Sequence, residues 1–179
     1  MRGDLISAPL FRLPGSGFCY FALVKLIRTT SQDSQFIELV RALDAELAII
    51  DGEDHAFYSN YNKIQNLQHV VVLFIENKPV ACGAIKPFDD TSTEVKRMYT
   101  LPEFRGKGVA TQVLHELEKW AAELGYIECV LETGKRQPDA IQLYQKNGYT
   151  ITPNYGQYIG VENSVCFRKS LHRYKSFGT

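Results

Sequence analysis

The stretch EFRGKGVATQVLHELEKW, residues 103–120, constrains the chain more than any other, because it opens a long helix that has no side-chain cap. Val109, Val113, Leu114, Leu117, Trp120, Ala121 and Leu124 recur at helical spacing and form one apolar stripe, and Gly125 stands where a C′ glycine belongs. A strand over 93–100, ended by Pro102, precedes the helix, and an apolar strand over 127–132 follows it. A strand, a crossover helix and a second strand form a unit whose two strands can be parallel neighbours in one sheet.

The remaining elements arrange themselves around that unit. Leu23 to Arg28 reads as a first strand, and Phe36, Val40, Leu43, Leu47 and Ile50 mark a helix over about 34–49. Residues 51–67 read as a loop with a short second helix. HVVVLFIE and PVACGAIK, separated by Asn77-Lys78, read as two antiparallel strands on a tight turn. Pro138 suits the first position of a later helix, which Asn147-Gly148 closes, and Tyr149–Thr152 and Val165–Lys169 read as the last strands. The order predicts an α/β (mixed α+β) fold, with a mixed, mostly antiparallel sheet of about seven strands flanked by about four helices. One domain is expected over 21–179, behind an extension of uncertain structure at 1–20.

A helix leaves its first four N–H groups unpaired and carries about half a positive charge at that end. Arg105 and Lys107 add to the positive potential, where an acidic residue would ordinarily relieve it. An anion reverses the argument. Gly106 and Gly108 let the backbone approach a phosphate closely and permit positive φ, so the helix start becomes a site for a phosphate or pyrophosphate. The spacing fits neither a Walker A loop nor a dinucleotide fingerprint, since Thr111 stands where a third glycine would be needed. A solvent-exposed loop rich in Gly and Lys is the alternative.

Composition narrows the remaining classes. Twenty acidic and twenty basic residues cancel, which gives no support for a nucleic-acid partner. Cys19, Cys82, Cys129 and Cys166 are far apart and form no paired motif, so neither a metal site nor a disulfide framework is expected, and a reduced, cytoplasmic setting fits. No apolar run reaches the roughly 18–20 residues that span a membrane, so no membrane partner is expected. Pro9, Pro14, Gly15 and Gly17 interrupt the apolar N-terminal stretch, which lacks the features of a signal peptide.

Two motifs, taken together, resemble a known family. RGKGVA fits the pattern of Arg or Gln, two residues, Gly, one residue, then Gly or Ala that marks the GNAT N-acetyltransferases. AIQLYQKNGY, residues 140–149, is similar to that family's later motif, and EVKRMYTLPEF looks like its fourth strand. The resemblance runs from about residue 23 to the C-terminus. It implies that the fourth and fifth strands of the domain, 93–100 and 127–132, splay apart into a cleft for acetyl-CoA and an acceptor amine.

The resemblance also implies roles for particular residues. The loop Arg105, Gly106, Lys107, Gly108, Val109 and Ala110 would cradle the pyrophosphate, while Met98, Tyr99 and Thr100 would run beside the pantetheine arm, Met98 and Thr100 through their backbone groups. The Met98 N–H would meet the developing oxyanion, and Tyr144 would protonate the leaving thiolate, unless it is a core tyrosine. The base would be Glu94 or Glu132, each of which could equally be a solvated strand-end carboxylate. Gln137 stands where the family often has Asn against the cofactor. An acceptor mouth is expected in DGEDHAFYSNY, where Asp51, Glu53, Asp54, His55 and Phe57 would suit a cationic amine, or would cap the second helix and face water. The tyrosines of PNYGQYIGVENS, residues 153–164, read as exposed and serve either a substrate pocket or a homodimer interface. A small-molecule amine acetyltransferase is the leading expectation, with a protein lysine or N-terminal acetyltransferase and a non-catalytic acyl-CoA sensor as alternatives.

Overall fold

The computed structural model describes residues 4–7, 11–12 and 21–171. Its central sheet contains β1 (Asp4–Ser7), β4 (Val24–Thr29), β5 (His69–Ile75), β6 (Lys78–Pro87), β7 (Ser92–Thr100), β8 (Glu128–Gly134), β10 (Ser164–Ser170) and β9 (Thr150–Thr152), in that spatial order. β2 (Phe11–Arg12) and β3 (Phe21–Ala22) form a separate two-stranded ribbon. The helices are α1 (Ser34–Asp51), α2 (His55–Tyr61), α3 (Val109–Glu123) and α4 (Pro138–Lys146). Seven of the sheet strands are those read from the sequence. The eighth, β1, comes from the segment taken as an extension and pairs antiparallel with β4. Apart from β2, the rest of that extension lies outside the described residues.

β5 explains why the middle of the sheet is apolar on both faces. Val71 and Leu73 pack toward α3, while Val70 and Val72 pack toward α1. With a helix on each side, the strand needs a continuous apolar run in place of an alternating one. On the α3 side Val113, Leu114, Leu117 and Ala121 close the core against β5, β6 and β8; on the α1 side Phe36, Leu39 and Val40 do so. α1 begins at a conventional cap: the Asp33 carboxylate accepts from the N–H groups of Gln35 (2.8 Å) and Phe36 (3.0 Å).

The β5–β6 turn falls one residue earlier than expected, on Glu76-Asn77. Both residues have positive φ, 49° and 64°, as a two-residue turn matched to the strand twist requires. Glu76 is fixed there because its N–H donates to the Leu23 carbonyl and its carboxylate accepts from the Leu23 N–H.

β7 carries the feature that shapes the rest. Cys82 pairs with Tyr99 and Ala84 with Lys96, so Gly83 alone stands opposite both Arg97 and Met98. This is a β-bulge, with Arg97 in the left-handed region at φ 58°. The Arg97 side chain is buried and pairs with Asp44 of α1, while the Cys82 thiol donates to the Arg97 carbonyl. The parallel pairing of β7 with β8 covers Ser92–Glu128, Thr93–Cys129 and Glu94–Val130, and then stops, although β7 runs on to Thr100 and β8 to Gly134. The two strands therefore splay, as expected.

Gly83 is required by this geometry. A Cβ there would overlap the Met98 sulfur and come within 2.8 Å of the Leu117 methyl. Replacement Gly83→Ala should destabilise the protein by about 1–3 kcal/mol, the usual cost of overpacking a filled core. Urea unfolding measures this, and an unchanged midpoint would mean that Met98 repacks freely.

Candidate active site

The V between β7 and β8 opens into a cleft of about 580 Å³, walled by α1, β7, the loop before α3, the end of β8, and α4. At one end lies the uncapped start of α3. Gly106 and Gly108 both have positive φ, 70° and 78°, and no side chain caps the helix. Among the described residues, none of the N–H groups from Gly106 to Thr111 meets a hydrogen-bond acceptor. A row of unpaired donors at a positive helix end fits a phosphate group. An added Cβ at either glycine would meet nothing within 4 Å, so backbone conformation, and not crowding within the chain, accounts for both.

The cations beside this cradle are engaged in other contacts. The Arg105 guanidinium forks onto the Glu46 carboxylate at 2.8 and 2.7 Å, donates to the Thr100 carbonyl at 2.9 Å and sits over the Tyr99 ring. Tyr99 donates its hydroxyl to the same carboxylate at 2.7 Å. Lys107 donates to the Glu103 carbonyl and does not line the cleft. Glu46, on α1, thus ties the loop to the strand. Sequence reading could not find it, because it lies one hydrophilic position among several on an exposed helix face.

Along the middle of the cleft, Met98, Tyr99 and Thr100 line the wall. Past Glu94 the β8-side edge of β7 has no strand partner. The Thr100 hydroxyl is buried without a hydrogen bond. On the opposite wall Gln137 precedes the first residue of α4, and Tyr144 lies about two turns further on. Tyr144 packs edge-on against Tyr149 at 5.7 Å and beside Phe167 at 5.8 Å. Burial raises its phenol above the ordinary value, and the Glu132 charge adds to the effect.

The two candidate bases separate clearly. Glu94 is buried, does not line the cleft, and pairs with Lys86 at 3.2 Å and Lys96 at 3.4 Å. Glu132 lines the cleft, and its Oε1 has no hydrogen-bond partner. Burial pushes the Glu132 carboxyl up from 4.5 to about 7, opposed by Ser164 and the Lys96 charge.

The five residues expected at an acceptor mouth do not line this cleft. Asp51 is the last residue of α1 and is buried, with burial raising its carboxyl. His55 approaches it at 3.9 Å. Asp54 pairs with Arg136 at 3.2 Å and accepts from Asn163 at 2.7 Å; Arg136 also donates to the Asp51 carbonyl at 2.7 Å. Glu53 faces solvent, and Phe57 packs on Tyr58 and Tyr61. The tyrosines of residues 153–164 turn inward: Tyr158 is fully buried and Tyr155 has a buried hydroxyl, so neither is exposed as read. Arg136 thus clasps the α1–α2 corner to the β8–α4 turn, a contact the sequence pattern does not reveal. Among the described residues, no group of three or more His, Cys, Asp or Glu is placed to hold a metal ion, and no helix is long and apolar enough to cross a membrane.

The Glu132 environment has a consequence for stability. Because the folded-state value is raised, the fold favours the protonated carboxyl; that contribution is present below the unfolded value and is lost as pH rises through about 7. Glu132→Gln, which mimics the protonated form, should therefore be more stable than the parent at pH 8 by roughly 1–3 kcal/mol, with the difference vanishing near pH 4. Urea midpoints at the two pH values measure it, and an equal difference at both would remove the burial argument.

Comparison with known proteins agrees with this fold. The uncharacterized N-acetyltransferase YsnE of Bacillus subtilis is 36% identical over 92 residues, which are 50% of this chain and 61% of that protein, so the match spans less than two thirds of the relative's length. An acyl-CoA N-acyltransferase structure from Klebsiella pneumoniae superposes with a TM-score of 0.68 at 29% identity, covering 83% of this chain and 98% of that one. A GNAT acetyltransferase from Elizabethkingia anophelis, solved with acetyl-CoA bound, shares the fold with a TM-score of 0.60 at 19% identity, over 83% of this chain and 98% of its own. The family model for the GNAT acetyltransferases matches residues 36–149, which is more than half of the chain, and the chain belongs to that family.

Proposed function

We propose that the chain transfers an acetyl group from acetyl-CoA to a primary amine of a small molecule, by direct attack within a ternary complex. The observation that carries this reading is one cleft with an unpaired row of N–H groups at one end, a free strand edge along its length, and Glu132 and Tyr144 on its walls. The N–H groups from Gly106 onward suit the pyrophosphate, with Arg105 holding the loop through Glu46. The open edge of β7 at Met98 to Thr100 suits the amides of the pantetheine arm, which would add to it as another strand. Bound in this way, the cofactor supplies the activated acetyl thioester.

Glu132 acts as the general base. A carboxyl poised near neutrality can accept the proton of an amine, while Glu94 is committed to two ammonium groups away from the cleft. The Met98 backbone N–H, on a cleft-lining residue, would serve as the donor that stabilises negative charge on the acetyl oxygen. Tyr144 would be the proton donor for the CoA thiolate, and burial, which raises its phenol, keeps the hydroxyl protonated until then. Arg136, which lines the cleft, is held in place by Asp54 and by the Asp51 carbonyl.

Saturating acetyl-CoA should raise the melting temperature, and one amine in a panel of amines, amino acids, polyamines, aminoglycosides and peptides should release free thiol. Absence of any thermal shift would sink the cofactor assignment. Tyr144→Phe should lower kcat by about 10²-fold, the lower range for a proton donor, while acetyl-CoA affinity stays close to that of the parent. Unchanged turnover would remove Tyr144 from the chemistry.

A further inference from the structure

We infer that Glu46 is a positioning residue for the cofactor: through Arg105 and Tyr99 it holds the loop 105–108 in the shape that presents its backbone N–H groups to a pyrophosphate. This role rests on the reading of that loop as the pyrophosphate cradle.

The loop needs an anchor from outside itself. Gly106 and Gly108 have positive φ, and glycine adopts many other conformations about as readily. An added Cβ at either would meet nothing within 4 Å, so crowding does not fix them. On the C-terminal side the chain is pinned at Val109, the first residue of α3, which is buried in the core. On the N-terminal side the pin is Arg105. Its guanidinium forks onto both oxygens of Glu46, its Nε–H donates to the Thr100 carbonyl, and it lies 5.5 Å from the centre of the Tyr99 ring. A second tie from the sheet to the residues before the loop, Lys78 with Glu103, is a single exposed contact at 2.9 Å.

Glu46 is the hub of this arrangement. Its carboxylate accepts from Arg105 at 2.8 and 2.7 Å and from the Tyr99 hydroxyl at 2.7 Å. Tyr99 is buried in the core between the sheet and α1. Burial, and then the Glu46 hydrogen bond, push its phenol up to about 12, so the hydroxyl stays a donor. Exposed ion pairs contribute little as a rule, but a bidentate fork within a network is the exception. The same contact decides where charge goes. With Arg105 committed to Glu46 and Thr100, the pyrophosphate is left to the backbone donors of the loop. Glu46 also lines the cleft, so without Arg105 its carboxylate would repel the phosphates. A cradle already held in its binding shape loses less freedom when the ligand arrives, and the difference is affinity.

Calorimetry tests this with two ligands: acetyl-CoA, and S-acetylpantetheine, which carries the same thioester arm without the pyrophosphate. Glu46→Ala should weaken acetyl-CoA about tenfold, the equivalent of one charge-assisted hydrogen bond, and leave S-acetylpantetheine close to the parent value. Glu46→Gln, which keeps one oxygen for Arg105, should fall between parent and Glu46→Ala. Arg105→Ala, which bares the carboxylate, should weaken acetyl-CoA at least as much as Glu46→Ala. The double variant should lose no more than Arg105→Ala alone, because both changes act through one contact. In thiol release the loss should appear in KM for acetyl-CoA, with kcat little changed. Tighter binding of acetyl-CoA by Glu46→Ala would overturn the inference, since Glu46 would then restrain a phosphate-binding arginine. No change, or an equal loss for both ligands, would overturn it as well, the second being the mark of general loosening. If the parent itself binds S-acetylpantetheine as tightly as acetyl-CoA, the cradle reading fails and the role of Glu46 fails with it.

Discussion

The parting of β7 from β8 is the constraint on which the rest of the site depends. A strand pair that stays closed offers no unpaired backbone and no gap; this pair closes for three residues and then opens. The bulge at Arg97 and Met98 lies just past the last paired residue and bends β7 locally. It persists because its surroundings over-determine it. Arg97 is held by Asp44, and Met98 occupies the space left by the missing side chain of Gly83. A non-glycine residue at positive φ is costly in isolation, so such a bend survives only where packing and pairing hold it.

Charge is distributed to match that shape. At the helix start, Glu46 engages the Arg105 side chain and leaves the backbone donors of the loop facing the cleft. At the α1–α2 corner Arg136 and Asn163 answer Asp54, and on the sheet Lys86 and Lys96 answer Glu94. Among the described residues, Glu132 and the exposed Asp139 are the cleft-lining carboxylates without such an ammonium or guanidinium partner, and of the two Glu132 is the one with a buried oxygen. Burial without a closely paired cation pushes the Glu132 carboxyl up to about 7. Glu94 and Glu132 thus differ in their partners: two ammonium groups for Glu94, and no hydrogen bond at Oε1 for Glu132.

Much of the architecture was legible because it rests on local periodicity. The apolar stripe of α3, the strand runs of β5 to β8, and the glycines at 106 and 108 are contiguous signals whose physical meaning needs few distant contacts. The hairpin turn was misplaced by one residue because Glu76 is an uncommon turn residue, held at positive φ by Leu23 from another strand. Asp51 read as part of a mouth because helix ends fray into polar sequence; in the fold α1 continues through it and buries it. Gly83, in PVACGAIK, has nothing in its own neighbourhood to show that a sulfur from the adjacent strand fills its place.

The sequence by itself determined that a strand, an uncapped glycine-flanked helix start and a second strand follow one another, and that an anion suits the helix start. These are matters of backbone donors and dipole, which depend on a few consecutive residues. Tertiary structure alone decided which carboxylate is free, which cation is neutralised and where the strands part. Those outcomes depend on pairs such as Arg105 with Glu46, Arg97 with Asp44 and Tyr58 with Ser164, which lie far apart along the chain. Only the folded sheet brings them within hydrogen-bonding distance, and burial there sets the strength of each contact.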